Sequence, residues 1–150
     1  MKRGMVLLLM LLLATTVTTK AFCVEAPARC LQCSMDRTTF DYSRMLIEHT
    51  DGTTAGFCSL HCVVEYTKQN PSKAITAIKV ADYNTKELID AKKAVWVVGG
   101  KVHGVMTFLP KWAFTSKADA KAFIKKNGGK LSTFDKVWKM TEEELAKKHK

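Results

Sequence analysis

The sequence predicts an α+β fold made of two small β-β-α-β units and a helical tail. Three observations carry that prediction. Short strand-like runs recur between turn signals, YSRMLIEH at 42–49 and AVWVV at 94–98 among them. Serine-led stretches with helical character follow at 60–69 and 117–127. Finally, GFCSLHCVVEYTKQNP (56–71) lies over AFTSKADAKAFIKKNG (113–128) in the order aromatic, serine, helix, asparagine. That correspondence reads as an internal duplication.

The elements follow in order. Residues 42–49 form a strand, and Asp51-Gly52 is a two-residue hairpin signal. Residues 53–57 return. Ser59 caps a helix over 60–69, in which Leu60, Val63, Val64 and the Tyr66-Thr67 pair share one face. Asn70-Pro71 ends it, and 74–80 (AITAIKV) makes a third strand. Residues 81–93 are polar and read as a linker with a helical turn. The second unit begins with the strand 94–98. Gly99-Gly100 and Gly104 mark turns, and 105–108 with 111–114 form the return. Ser116 caps a helix over 117–127 that ends at Gly128-Gly129. Residues 130–132 add a short strand, and Thr133 opens a further helical stretch. Thr141-x-x-Glu144 reads as a capping box for a tail helix over about 141–150. Trp96, Trp112 and Phe114 are expected in the core of the second unit.

The N-terminus is of another kind. Lys2 and Arg3 precede an apolar run from Met5 to Ala14, followed by small polar residues. This is the layout of a secretory signal, and the run is shorter than the roughly 20 residues a membrane span needs. We assign 1–21 to a signal peptide cleaved after Ala21. Residues 22–150 then form one domain, with sub-units over about 28–81 and 93–135. Cys23, just behind the apolar run, offers an alternative: lipid on this cysteine and attachment to a membrane. The bulky Phe22 before it is unfavourable for that processing.

Removing 1–21 takes away Lys2, Arg3 and Lys20 and no acid, lowering the formal net charge from +10 to +7. The remaining lysines are dispersed, arginines are few, and no basic stripe carries interleaved aromatics. These features exclude nucleic acid as the expected partner. They describe a solvated basic face with a preference for acidic surfaces.

The chain has five cysteines, and export would place them in an oxidising compartment. Cys30-x-x-Cys33 alone suits a redox pair, half of a zinc site or a local disulfide. Cys58 and Cys62 fall one helical turn apart at a helix start, where the dipole favours a thiolate. Met35 lies two residues after Cys33, so an extended backbone would point both sulfurs the same way. Thiolate with thioether selects copper(I). His61 and His49 are possible nitrogen ligands, although an exposed first-turn position for His61 and a structural place for His49 are the plainer readings. Met106 either fills a core gap or completes a metal site. The competing readings are two disulfide staples, a four-cysteine zinc module, and a thiol–disulfide oxidoreductase using Cys30 and Cys33. Against the last, a polar loop rather than a helix follows the pair. No general acid–base pair or phosphate loop is present, so an enzyme is not expected.

Cys30-Leu31-Gln32-Cys33-Ser34-Met35, Gly56-Phe57-Cys58-Ser59-Leu60-His61-Cys62 and Gly104-Val105-Met106-Thr107 together resemble the NosL family, copper-binding accessory proteins of nitrous oxide reductase assembly. Lys111-Trp112-Ala113-Phe114, Ala122-Phe123 and Asn127-Gly128-Gly129-Lys130-Leu131 extend the resemblance over about 28–138. It implies an exported protein, often a lipoprotein, of two related β-β-α-β units. It implies one bound copper(I), passed to a copper-acceptor protein or copper-enzyme maturation complex. The family's Cys-Gly-Met motif falls on Cys33 and Met35, its best metal candidates. Cys30, Cys58, Cys62 and Met106 remain as further ligands. Two residues depart from the family pattern: Ser34 replaces a common glycine, and Cys62 stands where many relatives have another residue.

Overall fold

The computed structural model describes residue 25 and residues 27–148. The signal segment and Cys23 lie outside the described residues. The order is β1 (Met45–His49), β2 (Thr54–Phe57), α1 (Leu60–Gln69), β3 (Ile75–Ala81), β4 (Leu88–Asp90), β5 (Val95–Val98), β6 (Lys111–Phe114), α2 (Lys117–Asn127), β7 (Lys130–Ser132) and α3 (Phe134–Lys148). Two antiparallel sheets result, ordered β2-β1-β3-β4 and β6-β5-β7. The three-strand patterns correspond: the first strand of each unit lies between the strand that returns on it and the strand after the helix. This is the expected pair of β-β-α-β units.

Each unit grows from local signals. The β1–β2 hairpin turns through Gly52, whose φ of 82° is left-handed. It pairs Met45 with Phe57 and Glu48 with Thr54. Both helices span the ranges the spacing predicts, 60–69 and 117–127. Their caps differ. The Ser116 hydroxyl accepts the Asp119 N–H at 3.1 Å, whereas the Ser59 hydroxyl makes no cap bond.

Four expectations are corrected. Residues 88–90 are not linker but β4, which pairs with the end of β3 at Lys79–Ala81. Residues 105–108 are irregular, with Met106 at φ 60°, and the return strand is 111–114 alone. The tail helix begins at Phe134. Thr141 is therefore no cap: it lies fully buried in mid-helix and donates its hydroxyl to the Val137 carbonyl at 2.8 Å. Apolar Phe134, Val137 and Leu145 fasten the whole helix to the core, which overrides the local cap signal. Trp96 also changes sides. Trp112 and Phe114 fill the second core with Val97, Ala120 and Phe123, but Trp96 packs in the first core beside Phe134. Neighbouring residues of one strand point to opposite faces, so β5 serves both cores.

Asp82 joins the units. Its buried carboxylate accepts N–H bonds from Asn84 and Thr85, and both the N–H and the hydroxyl of Thr115 at 2.6 and 2.8 Å. The Tyr83 N–H donates to the Ala113 carbonyl at 2.8 Å. Among the described residues no helix is long and apolar enough to cross a membrane.

Candidate metal centre

The segment holding Cys30 and Cys33 is a tight knuckle. The Cys30 N–H donates to the Met35 carbonyl, and the Ser34 N–H returns to the Cys30 carbonyl, both at 2.8 Å. Ser34 takes φ 63° to close the turn. This is the left-handed region that favours glycine. Cys33 and Met35 therefore do not sit on an extended strand, and the expected alternation does not hold there. Met35 is half-buried against the first core.

Two anchors press the knuckle onto the first sheet. The Leu31 N–H donates to the Gly56 carbonyl at 2.9 Å. Arg37, fully buried, donates to the carbonyls of Phe57 and Met45 at 3.2 and 3.0 Å and pairs with Glu25. Gly56 makes room for this guanidinium, because a Cβ there would stand 2.5 Å from Arg37 Nη1. On the other side, Cys58 directly follows β2 and Cys62 lies in the first turn of α1. The Ser43 hydroxyl holds the Cys58 carbonyl at 2.8 Å.

These supports bring four sulfurs together. Cys33 Sγ lies 3.5 Å from Cys58 Sγ, and Cys58 Sγ lies 3.6 Å from Cys62 Sγ. The sulfurs of Cys30, Cys33, Cys58 and Cys62 all lie within 4.8 Å of one another. All four are free thiols. Cys30, Cys58 and Cys62 are buried and Cys33 is half-buried, so the nest opens at Cys33. A tetrahedral ion with bonds of about 2.3 Å to sulfur sets its ligands about 3.8 Å apart. The spacing suits a metal–thiolate site.

The sharing of protons differs from the helix-start expectation. Hydrogen bonds from the Cys58 and Cys62 thiols, aided by the backbone N–H groups of Cys33 and Cys58, hold the Cys30 thiol far below its ordinary value. Donation to Cys30 pushes Cys58 and Cys62 up, and burial adds to both. Within the nest Cys30 is shifted down and Cys58 up, the reverse of the helix-start expectation. Four converging sulfurs, with one thiol held low by its neighbours, suit a soft cation.

The two histidines are placed elsewhere. His49 is buried, its Nδ1 3.2 Å from the Ala74 carbonyl and its Nε2 3.4 Å from the Tyr66 hydroxyl. His61 is also buried, not exposed as its first-turn position suggests. Neither belongs to the thiol group. His61 shares a cavity of about 480 Å³ with Met106, Phe108 and Leu109 from the β5–β6 loop. Met106 is 38% exposed there, so it is not a core filler. Behind this loop Lys111 Nζ pairs with Glu144 at 2.8 Å and donates to the Leu109 carbonyl at 3.0 Å. Burial lowers the Lys111 pKa although Glu144 opposes the shift. Sequence spacing has no signal for the roles of Arg37, Ser43 and Lys111, because Phe57, Cys58 and Glu144, which they respectively hold, are distant in the chain.

The sequence profile of one family, NosL, matches residues 21–141. The chain belongs to the NosL family. NosL is a family of copper chaperones and not of enzymes. Among solved structures, the chain is similar to the crystal structure of the copper chaperone NosL from Shewanella denitrificans. The two are 25% identical with a TM-score of 0.58, over 77% of this chain and 92% of that one. A comparison with curated proteins found no match. The NosL fold here thus comes with a four-thiol group able to hold a metal ion.

Proposed function

We propose that this NosL protein is an exported copper(I) chaperone and that the thiol nest is its cargo site. The observation that carries the reading is the convergence of four soft sulfur donors within 4.8 Å, three of them buried. Copper here is cargo, and the chain supplies binding and release. Cys30, Cys33, Cys58 and Cys62 form the donor set. Met35 lends a thioether at the knuckle, and Met106, which lines a cavity with His61, is a further soft donor. Transfer is ligand exchange. A partner's sulfur or histidine enters at half-buried Cys33, copper passes through a shared coordination, and the chain's thiolates take up protons.

The acceptor in this reading is nitrous oxide reductase or its maturation complex. Residues 1–21 direct export to the periplasm, and lipid on Cys23 is the alternative route to membrane attachment. The four-sulfur count favours zinc as a second reading, since zinc fills tetrahedral cysteine sites. Anaerobic competition between the reduced protein and a copper(I) chelator decides. Tight copper uptake that survives excess zinc and weakens in Cys33→Ser and Met35→Leu supports the proposal. Zinc that copper(I) cannot displace would overturn it.

A further inference from the structure

We propose that the nest carries two copper(I) ions bridged by the Cys58 thiolate. This rests on the copper reading above and deepens it. Copper(I) is satisfied by two or three soft donors. The nest has four thiols, more than one such ion uses. The donors also come as two pairs on separate supports. Cys30 and Cys33 sit on the knuckle, while Cys58 and Cys62 flank the start of α1.

Cys58 connects the pairs, its sulfur lying 3.5 Å from Cys33 and 3.6 Å from Cys62. A sulfur in that position can bond one ion on the knuckle side and another on the helix side. Cys62 is the residue that makes the second position, and its side chain is fully buried. Phe57, Leu60 and Val63 belong to the same apolar core. Unpaired charge in such surroundings is costly. A thiol that the first ion leaves unused keeps its proton. A second copper(I) at Cys62 displaces that one proton and takes its place, so the charge of the nest is unchanged. One further proton is therefore released with the second ion.

The test is the copper-to-protein ratio of the fully reduced chain. Copper(I) is added anaerobically with a competing chelator, and copper per chain is read by native mass spectrometry. Two ions per chain are expected, with emission characteristic of a shielded copper(I)–thiolate cluster. Cys62→Ser should lower the count from two to one and abolish the emission while retaining the first ion. A wild-type end point of one, with all four thiols protected from alkylation, overturns the two-ion site and leaves the chaperone reading standing. No copper uptake at all overturns both. The wild-type count needs no variant, so the inference stays testable if Cys62→Ser misfolds.

Discussion

Cys58 and Thr115 occupy the same place in the two units, directly before the serine that starts each helix. In the first unit that place holds a buried sulfur within 3.6 Å of two others. In the second it holds a threonine whose N–H and hydroxyl both reach the Asp82 carboxylate. The next pair differs in the same sense. Cys62 stands where the second unit has Asp119, and Asp119 completes a cap with Ser116, its carboxylate accepting the Ser116 hydroxyl at 2.6 Å. One architecture thus serves two ends. The first helix start is given over to sulfur and forgoes its cap, while the second is built for stability.

The first helix compensates through burial. Leu60, His61, Cys62, Val63, Val64 and Tyr66 are all buried in α1, against Ala120 and Phe123 alone in α2. Packing supplies most of a helix's stability in a folded protein. A helix so well buried can surrender a cap worth about 1 kcal/mol.

The comparison breaks most visibly if its two sides are exchanged. Cys58→Thr makes the first unit resemble the second. Copper(I) affinity should fall on the order of 100-fold, about 2.7 kcal/mol, measured by chelator competition. An unchanged affinity would remove Cys58 from the site. On the stable side, Asp82→Ala leaves the Thr115 donors without their acceptor and should cost about 3 kcal/mol in urea unfolding. It should also change the pH profile. Burial alone would raise the Asp82 pKa, but the donors of Thr85, Thr115 and Asn84 outweigh it and leave it lowered. A lowered folded pKa adds stability above the ordinary carboxylate value near pH 4, lost as pH falls through the folded value. The variant should therefore lose less stability than the wild type on acidification over that window. A parallel acid profile would show that Asp82 contributes nothing there.

Smaller effects sharpen the contrast. Ser116→Ala should cost about 1 kcal/mol, whereas Ser59→Ala should cost clearly less because its hydroxyl caps nothing. Equal losses in thermal unfolding would erase the distinction between the helix starts. Ser34→Gly should stabilise the reduced protein by roughly 0.5–1 kcal/mol, since it relieves a left-handed serine in the knuckle. A destabilised Ser34→Gly would mean that the serine side chain supports the turn.

Much of the fold was legible because its signals are local. The limits of α1 and α2 follow from serine, apolar spacing and asparagine within a dozen residues. The strand order within each unit follows from hairpin and helix lengths. Thr141-x-x-Glu144 misled because a cap signature has meaning only where a helix begins, and burial of Phe134 and Val137 had already begun it. Residues 88–90 carry no strong strand pattern and became a strand because the edge of β3 was available. Of the site, the cysteine and methionine types and their softness could be read directly. The extended geometry of Cys33 and Met35 could not, because a left-handed Ser34 intervenes.

The sequence by itself determined the duplicated β-β-α-β order, the helix limits and the choice of sulfur chemistry in one unit only. These depend on periodicity and residue type, which act over a few neighbours. Tertiary structure alone decided that Cys33 meets Cys58 across 25 positions, that the Cys30 thiol is held low by its neighbours, and that His61 lines a cavity with Met106. Such pairings arise when Arg37, Gly56 and Ser43 dock the knuckle onto a packed sheet. Their free energy comes from burial shared by the whole core, and no short window of sequence contains it.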